Sequence, residues 1–451
     1  MADLLELSAT AAAAEIARGA FSAREYCAAC LERIEARDGE IKAFVHLDRE
    51  HALSQARALD ERRAQGHPLG PLHGIPVGIK DIIDTADYPT EMGSPLAAGR
   101  RPRRDATVVA KLRAAGAVII GKTVTTEFAY YHPGPTRNPH DPARTPGGSS
   151  SGSAAAVAAH MVPLALGSQT NGSIIRPASF CGVFATKPSH GLVSRAGVLM
   201  LSRKLDHVGA FARSPGDLAR ILDVIAGADP ADPDTRPLAL ADFETIQREP
   251  SPLAPRVAFV RTRVWQKADA DTRAGFEQLV DTIGSPIAFV DLPEKFAKAW
   301  NTHRLIMGTD MAHNLAPFLA RGEPSEALGK ILREGRDTKA VDYLAALREA
   351  QDYRAGLAEI FDTYDAILTP AAAGVAPKGL HSTGDPVFCS LWTLTGLPAL
   401  CLPLLTGEDE LPVGVQLVGA PGQDARLLRT ATALIEMLAP IKKKRGSRRA
   451  L

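Results

Sequence analysis

Two glycine- and serine-rich loops lie 24 residues apart in the chain, and they constrain its fold more than any other feature. The first, PGGSSSGS, contains Ser149, and the second, SQTNGS, contains Ser173. Glycine tolerates backbone dihedrals that other residues avoid, and it lets a ligand approach the main chain closely. Between the loops, residues 153–160 have a helical pattern and VPLALGS has the pattern of a buried strand. The sequence therefore predicts a helix directly behind the first loop and a strand that leads into the second.

A third polar residue, Lys80, lies 93 positions before Ser173 in the stretch GIPVGIKDIIDT. The apolar residues around it, Val77, Ile79 and Ile82, are typical of the end of a buried strand. Burial disfavours the charged form of a lysine and lowers its pKa from about 10.4. A lysine followed by two serines in glycine-rich loops indicates acyl transfer by a serine nucleophile without a histidine base.

These segments resemble the amidase signature family. The run from Thr145 to Pro188 is similar to the serine- and glycine-rich signature of that family, and GIPVGIKDIIDT, GKTVTTEFA and LPVGVQLVG resemble three further stretches of it. The resemblance covers most of residues 20–225 and again about 365–435. It implies one large α/β domain over residues 1–451, with a twisted mixed β-sheet covered by helices on both faces.

The resemblance also divides this domain into parts. It places the core at about 65–225 and 365–440, while the helical patterns of residues 293–364 match the family least and are expected to cover the substrate pocket. Alternating helix and strand patterns before Lys122 indicate β-α-β units, from which we expect a largely parallel core. The basic tail, residues 442–451, is expected to be disordered, with docking to an acidic partner as the alternative.

In the family, the residue matching Ser173 attacks the amide carbonyl, the one matching Ser149 relays the proton, and the one matching Lys80 is the base. The relay serine follows a cis peptide, so we expect the Gly148–Ser149 bond to be cis. Backbone N–H groups of the turn are the expected oxyanion donors, at Thr170, Asn171, Gly172 and Ser173.

The spacing of Ser173 and Arg176 resembles the subgroup that includes malonamidase, in which an arginine holds a substrate carboxylate. The guanidinium fork matches a carboxylate well, so a small amide with an acid group is the favoured substrate. A structural ion pair of Arg176 is the alternative. Gln169, Asn171 and Ile175 depart from residues that many members carry, which weakens the resemblance to the amidotransferase component that amidates misacylated glutamyl-tRNA. That component remains the alternative function, beside a non-catalytic scaffold of the same fold.

The composition and charge argue against a nucleic-acid-binding or membrane protein. The 52 Lys and Arg residues balance the 51 Asp and Glu residues, so no global field favours nucleic acid or anionic membranes. No secretory signal and no apolar run of about 18 residues is present, and we expect a soluble cytoplasmic protein. No cofactor or metal is implied. The expected partner is a small-molecule amide, and a homodimer is suggested by resemblance only.

Two other patterns have competing interpretations. Cys27 and Cys30 are spaced like half a zinc site, but an amphipathic helix with a capping box at its start is the favoured interpretation. The run GSSSG also fits a nucleophile elbow, which would make Ser150 the nucleophile with His190 or His207 as base. The segment before it lacks a strand pattern, which argues against an elbow. Other residues expected to shape the pocket are Trp300, His303, Met307, Trp392 and the stretch GDPVFCSLW.

Overall fold

The computed structural model describes residues 4–237, 239 and 241–446. In chain order the strands are β1 (Phe44–Leu47), β2 (Pro76–Lys80), β3 (Val118–Thr123), β4 (Leu164–Gln169), β5 (Phe184–Lys187), β6 (His207–Ala212), β7 (Val257–Val260), β8 (Ile287–Val290), β9 (Ala366–Pro370), β10 (Ala399–Thr406) and β11 (Pro412–Val418). The helices are α1 (Ala9–Arg18), α2 (Ala23–Ile41), α3 (Arg49–Ala64), α4 (Thr107–Ala114), α5 (Ser151–Ala158), α6 (Ile175–Cys181), α7 (Pro215–Ile225), α8 (Phe243–Arg248), α9 (Ala270–Ile283), α10 (Ala299–Asn314), α11 (Ala316–Leu319), α12 (Glu326–Arg336), α13 (Ala340–Phe361), α14 (Val387–Leu394) and α15 (Asp424–Gly446).

All of these strands join one mixed sheet in the order β1-β3-β2-β4-β6-β5-β10-β11-β9-β7-β8. Helices flank the sheet, and the α/β fold expected from the sequence is confirmed. The prediction of a largely parallel core is wrong. Strand β2 is parallel to both β3 and β4, but the pairings from β4 through β6, β5, β10, β11 and β9 are antiparallel. Parallel pairs with helical crossovers occur only towards the two ends of the described sheet, among β2, β3 and β4 and among β7, β8 and β9.

The local predictions around the first strands are confirmed. Helix α2 begins with the capping box of Ser22 and Glu25, and both Cys27 and Cys30 are buried on it. Helix α5 starts directly behind the first glycine-rich loop, and β4 leads into the second. Strands β2, β3 and β4 are buried at every position, so they form a rigid base under the two loops.

The region 293–364 is helical, as the sequence indicated, and consists mainly of α10, α12 and α13. Helix α10 packs against α12, α13 and α14, and α14 follows the loop that carries Pro386. No helix in the described part of the chain is long and apolar enough to cross a membrane.

The first half of the basic tail, which the sequence analysis expected to be disordered, follows on from helix α15. That helix continues to Gly446 and therefore includes residues 442–446. Lysine and arginine are good helix formers, so a helix that packs on the sheet earlier in its length is able to continue through them. Residues 447–451 of the tail lie outside the described residues.

Candidate active site

The candidate site lies where β2 and β4 end, since these neighbouring strands are parallel and their carboxyl ends meet at one edge of the sheet. Lys80 is the last residue of β2, and β4 ends at Gln169, shortly before Ser173. Ser149 lies in the loop before α5, which packs against both strands. The fold thus brings together three residues that are far apart in the sequence.

The amino group of Lys80 is completely buried and faces hydroxyl groups. Its Nζ lies 2.7 Å from Ser149 Oγ and 2.8 Å from Ser168 Oγ. Burial is the main cause that lowers the pKa of Lys80 well below its usual value, while the carboxylate of Asp206 opposes the shift. The lowered pKa favours the neutral amine, which is the form that accepts a proton.

Ser149 and Ser173 line one cavity, and both are nearly buried, with exposed fractions of 3% and 8%. The peptide between Gly148 and Ser149 is cis, as the sequence analysis expected. Because Ser149 lies between Lys80 and the cavity, its hydroxyl is placed to exchange a proton with the lysine.

The turn before Ser173 is held by side chains that leave its N–H groups free. The Gln169 side-chain carbonyl accepts hydrogen bonds from the N–H groups of Ile174 (2.8 Å) and Ile175 (2.9 Å) at the start of α6. The Thr393 hydroxyl donates to the backbone carbonyl of Asn171 (2.6 Å). Among the hydrogen bonds of the described residues, none uses the N–H groups of Asn171, Gly172 or Ser173.

Thr170, at the start of the same turn, is held at two points. Its backbone carbonyl lies 2.9 Å from His303 Nε2, and its hydroxyl donates to Asp206 Oδ1 (2.6 Å). Burial lowers the pKa of His303 to about 4, so the ring is neutral at pH 7 and Nε2 donates to the carbonyl. Helix α10 therefore contacts the turn directly through His303.

Arg176 is buried beside the cavity and bonds to protein oxygens. Its Nη2 donates to the carbonyl of Gly148 (2.6 Å) and to the hydroxyl of Thr383 (3.1 Å), and its Nη1 donates to the carbonyl of Gly384 (3.0 Å). Its Nε has no hydrogen-bond partner among the described residues. No carboxylate of the described residues lies within 4 Å of the guanidinium, so a structural ion pair is not what holds Arg176.

The cavity in front of the two serines is narrow, with about 20 Å³ of space for the centre of a water molecule. It is lined by Ala129, Tyr130, Tyr131, Ser149, Thr170, Asn171, Gly172, Ser173, Arg176, Leu201, Met307, Thr383 and Pro386. Of the residues expected to shape the pocket, Met307 and Pro386 line it and His303 lies behind it. Trp300 and Trp392 pack elsewhere; the Trp300 ring donates to the carbonyl of Val387 (2.7 Å).

The structure does not support the nucleophile-elbow alternative. Ser150 is fully buried, its hydroxyl bonds to the backbone of Ser168, and it does not line the cavity. No strand lies directly before it, since the preceding strand in the described chain, β3, ends at Thr123. His207 is buried in β6, and its Nδ1 lies 2.7 Å from the Leu205 carbonyl. His190 Nε2 lies 3.0 Å from the Arg203 carbonyl, so neither histidine is placed as a base for Ser150.

Several residues of this site were not identified from the sequence. Ser168 contacts Lys80, Asp206 contacts Thr170, and Thr393 contacts Asn171. Ser168 lies in the same glycine-rich segment as Ser173, so its position in the motif was a usable signal. The other two come from distant segments in which no local pattern points to the turn. Ser390, which donates to Asn171 Oδ1 (2.7 Å), lies in the stretch GDPVFCSLW that the sequence analysis named.

Comparison with known proteins assigns the class of protein. The family model described as amidase matches residues 25–428, a range that contains the sheet and all the site residues described above. The chain therefore belongs to the amidase signature family, and it is an amidase-signature hydrolase.

Individual relatives are similar to the chain over nearly its whole length. A glutamyl-tRNA(Gln) amidotransferase subunit of Chloroflexus aurantiacus is 39% identical, with 96% of this chain and 97% of the relative covered. Among solved structures, the peptide amidase from Stenotrophomonas maltophilia is 29% identical with a TM-score of 0.84, and the match covers 96% of both chains. A chain from a vestigial protein complex, described as revealing the evolutionary origins of an s-triazine catabolic enzyme, is 32% identical with a TM-score of 0.88, covering 95% of this chain and 98% of that one.

Proposed function

We propose that the chain hydrolyses the amide bond of a small molecule through an acyl-enzyme on Ser173, with Ser149 as proton relay and Lys80 as base. The observation that carries the proposal is the buried Lys80 amine, 2.7 Å from a hydroxyl that shares a cavity with Ser173. A buried amine with a lowered pKa supplies the base that a serine nucleophile needs.

In the proposed reaction, Ser173 Oγ attacks the carbonyl carbon of the amide. The proton of Ser173 passes to Ser149 Oγ while the proton of Ser149 passes to the neutral Lys80 amine. When the carbon–nitrogen bond breaks, the same path returns a proton to the leaving nitrogen. Water then attacks the acyl-enzyme with the same proton transfers, which releases the acid and restores Ser173.

The negative charge on the carbonyl oxygen would be stabilised by the turn. The N–H groups of Asn171, Gly172 and Ser173, which are unused among the described residues, are the proposed donors together with that of Thr170. Preorganised backbone donors of this kind contribute about 3–4 kcal/mol each to a transition state. The helical region 293–364 is proposed to cover the pocket, since Met307 of α10 lines it.

For the substrate, we propose a small amide that also carries a carboxylate. Arg176 lines the cavity as a cation without a carboxylate partner among the described residues, and the protein uses three of its five N–H donors. A buried charge without a partner is unfavourable, and an anionic substrate would compensate it. This substrate class corresponds to the malonamidase-like subgroup expected from the sequence.

The test is a screen for ammonia release that compares malonamate with propionamide and benzamide. Wild type should prefer malonamate, and Arg176→Ala should lose that preference. Arg176→Lys serves as the matched variant, because it keeps the charge but lacks the paired donors. A wild-type preference for neutral amides that persists in Arg176→Ala would overturn the carboxylate proposal.

The nucleophile has its own test. Ser173→Ala should abolish covalent labelling by a fluorophosphonate probe and all amide hydrolysis, whereas Ser150→Ala should keep both. Peptide mapping by mass spectrometry locates the labelled residue. Labelling at Ser150, or labelling that survives in Ser173→Ala, would contradict the proposed mechanism. Labelling confined to Ser173 would in turn argue against a non-catalytic scaffold.

A second candidate function is that of one component of an amidotransferase, favoured by the full-length similarity to glutamyl-tRNA(Gln) amidotransferase subunits. Glutamine would then be the amide, and its carboxylate could also face Arg176. Including glutamine in the same screen separates the two candidates. Ammonia release from glutamine alone, with malonamate inert, would favour the amidotransferase.

A further inference from the structure

Asp206 is a buried carboxylate behind the candidate site, at the residue before β6. Its Oδ1 accepts the hydrogen bond of the Thr170 hydroxyl (2.6 Å). Its Oδ2 accepts the N–H groups of Leu201 (2.7 Å) and Ser202 (3.0 Å). Thr170 and Leu201 both line the cavity, so one carboxylate bonds to two separate parts of the cavity wall.

The charge of Asp206 also acts on the base. Its carboxylate is the group that raises the pKa of Lys80 against the larger effect of burial. Burial in turn raises the pKa of Asp206 to about 6, so the residue is an anion at neutral pH. The carboxylate therefore favours the protonated form of Lys80 during the step in which Lys80 holds the proton of the nucleophile.

We propose that Asp206 is a positioning residue of the reaction, which holds the oxyanion turn through the Thr170 hydroxyl and stabilises the protonated Lys80 by its negative charge. This inference rests on the proposed function. Asp206 has no contact with the reacting atoms in the proposed scheme; it acts through Thr170 and Lys80.

Other titratable groups lie near Asp206 and affect its charge or the cavity beside it. Arg195 lowers the pKa of Asp206 by its positive charge, and its Nη1 donates to the Asp206 backbone carbonyl at 3.5 Å. Arg195, His207 and Asp206 line a second small cavity together with Ser168 and Thr170. Burial holds the pKa of His207 well below its usual value, so this ring stays neutral.

The experiment measures the rate of Ser173 labelling by a fluorophosphonate probe between about pH 5 and pH 9. In Asp206→Asn the acidic limb of the rate profile should move to lower pH by about 1 unit, because the removed charge no longer favours protonated Lys80. The maximum rate should fall about tenfold, since an amide has one acceptor oxygen for bonds that two carboxylate oxygens now accept.

Two further variants separate the two effects. Thr170→Val keeps the size of the side chain but removes the hydroxyl, so the maximum rate should fall while the acidic limb stays in place. Asp424→Asn is the matched control, because Asp424 is also buried and accepts the N–H (2.8 Å) and hydroxyl (2.6 Å) of Ser189. It should change neither the maximum nor the limb.

The outcomes distinguish this inference from the proposed function. If wild type is not labelled at Ser173, the proposed function fails. If wild type is labelled at Ser173 and a folded Asp206→Asn keeps the wild-type acidic limb, the inference is overturned. An Asp424→Asn variant that shifts the limb equally would also overturn it, because the effect would then follow from any lost buried carboxylate.

Discussion

Two completely buried lysines lie on neighbouring strands, and they differ in whether a carboxylate lies close to the amine. Lys122 of β3 pairs with Asp81 (3.3 Å) and donates to Thr90 Oγ1 (2.6 Å), whereas Lys80 of β2 faces the hydroxyls of Ser149 and Ser168. Burial lowers the pKa of Lys122 to about 8, with Asp81 opposing the shift. Burial lowers the pKa of Lys80 as well, without a carboxylate of the described residues within 4 Å.

The comparison teaches that burial alone does not make a lysine a base. Both side chains lose hydration, but the ion pair of Lys122 favours its charged form and occupies its amine. The hydroxyls around Lys80 accept or donate hydrogen bonds, so they tolerate both the amine and the ammonium. The choice of partner therefore separates a structural lysine from one suited to proton transfer.

The largest expected effect follows from removing Lys80. Lys80→Met should slow Ser173 labelling by about 10²- to 10⁴-fold, the usual contribution of a general base. Its free energy of unfolding should stay equal or rise, because the variant no longer buries an amine without a charged partner. Labelling kinetics and thermal unfolding check the two statements, and a variant with the wild-type labelling rate would show that Lys80 is not the base.

The opposite pattern is expected for Lys122. Lys122→Met should lower the free energy of unfolding by about 3–5 kcal/mol, since it leaves Asp81 buried without its partner. The labelling rate of the folded variant should change little. Combining Lys122→Met with Asp81→Asn should recover part of the stability in denaturant titrations. Loss of labelling without loss of stability would contradict the comparison.

A smaller effect is expected in how the free energy of unfolding depends on pH. Between about pH 8 and pH 10.5 the unfolded chain keeps the proton on Lys122 and the native chain has released it. The contribution of Lys122 to the free energy of unfolding should therefore rise with pH across this interval, by about 1–3 kcal/mol. Burial also lowers the pKa of Lys187 and raises the pKa of the cysteine thiols, so these groups contribute in the same interval. The Lys122 contribution is therefore measured as the difference in the free energy of unfolding between the wild type and Lys122→Met at each pH, and a difference that does not change with pH would contradict it.

The smallest effect is expected at Ser168. Ser168→Ala removes one hydroxyl from the Lys80 amine and should slow labelling by about tenfold. Ser153→Ala is the control on the neighbouring helix, because its hydroxyl contacts Thr123 Oγ1 (2.7 Å) and the Leu166 carbonyl (2.8 Å) but not Lys80. Equal rates for the two variants would show that the Ser168 hydroxyl does not assist Lys80.

The sequence predicted the parts of the site that lie in short continuous motifs. Lys80, Ser149 and Ser173 each lie in a glycine-rich or apolar stretch whose pattern is local, and the helix and strand around them followed from periodicity. Asp206 and Thr393 have no such pattern, because their roles depend on how distant segments pack. The antiparallel centre of the sheet was missed for the same reason, since strand direction depends on long-range pairing.

The bond between His303 and the Thr170 carbonyl has a consequence for how such enzymes diversify. If the helical region covers the pocket as proposed, exchanging it between relatives looks like a simple way to transplant substrate preference, because it lies apart from the proposed nucleophile in sequence. In this chain the transplanted segment would also have to bring a hydrogen-bond donor at the place of His303. Without one, we expect the turn to loosen, and under the proposed mechanism recognition and turnover would then be inherited together.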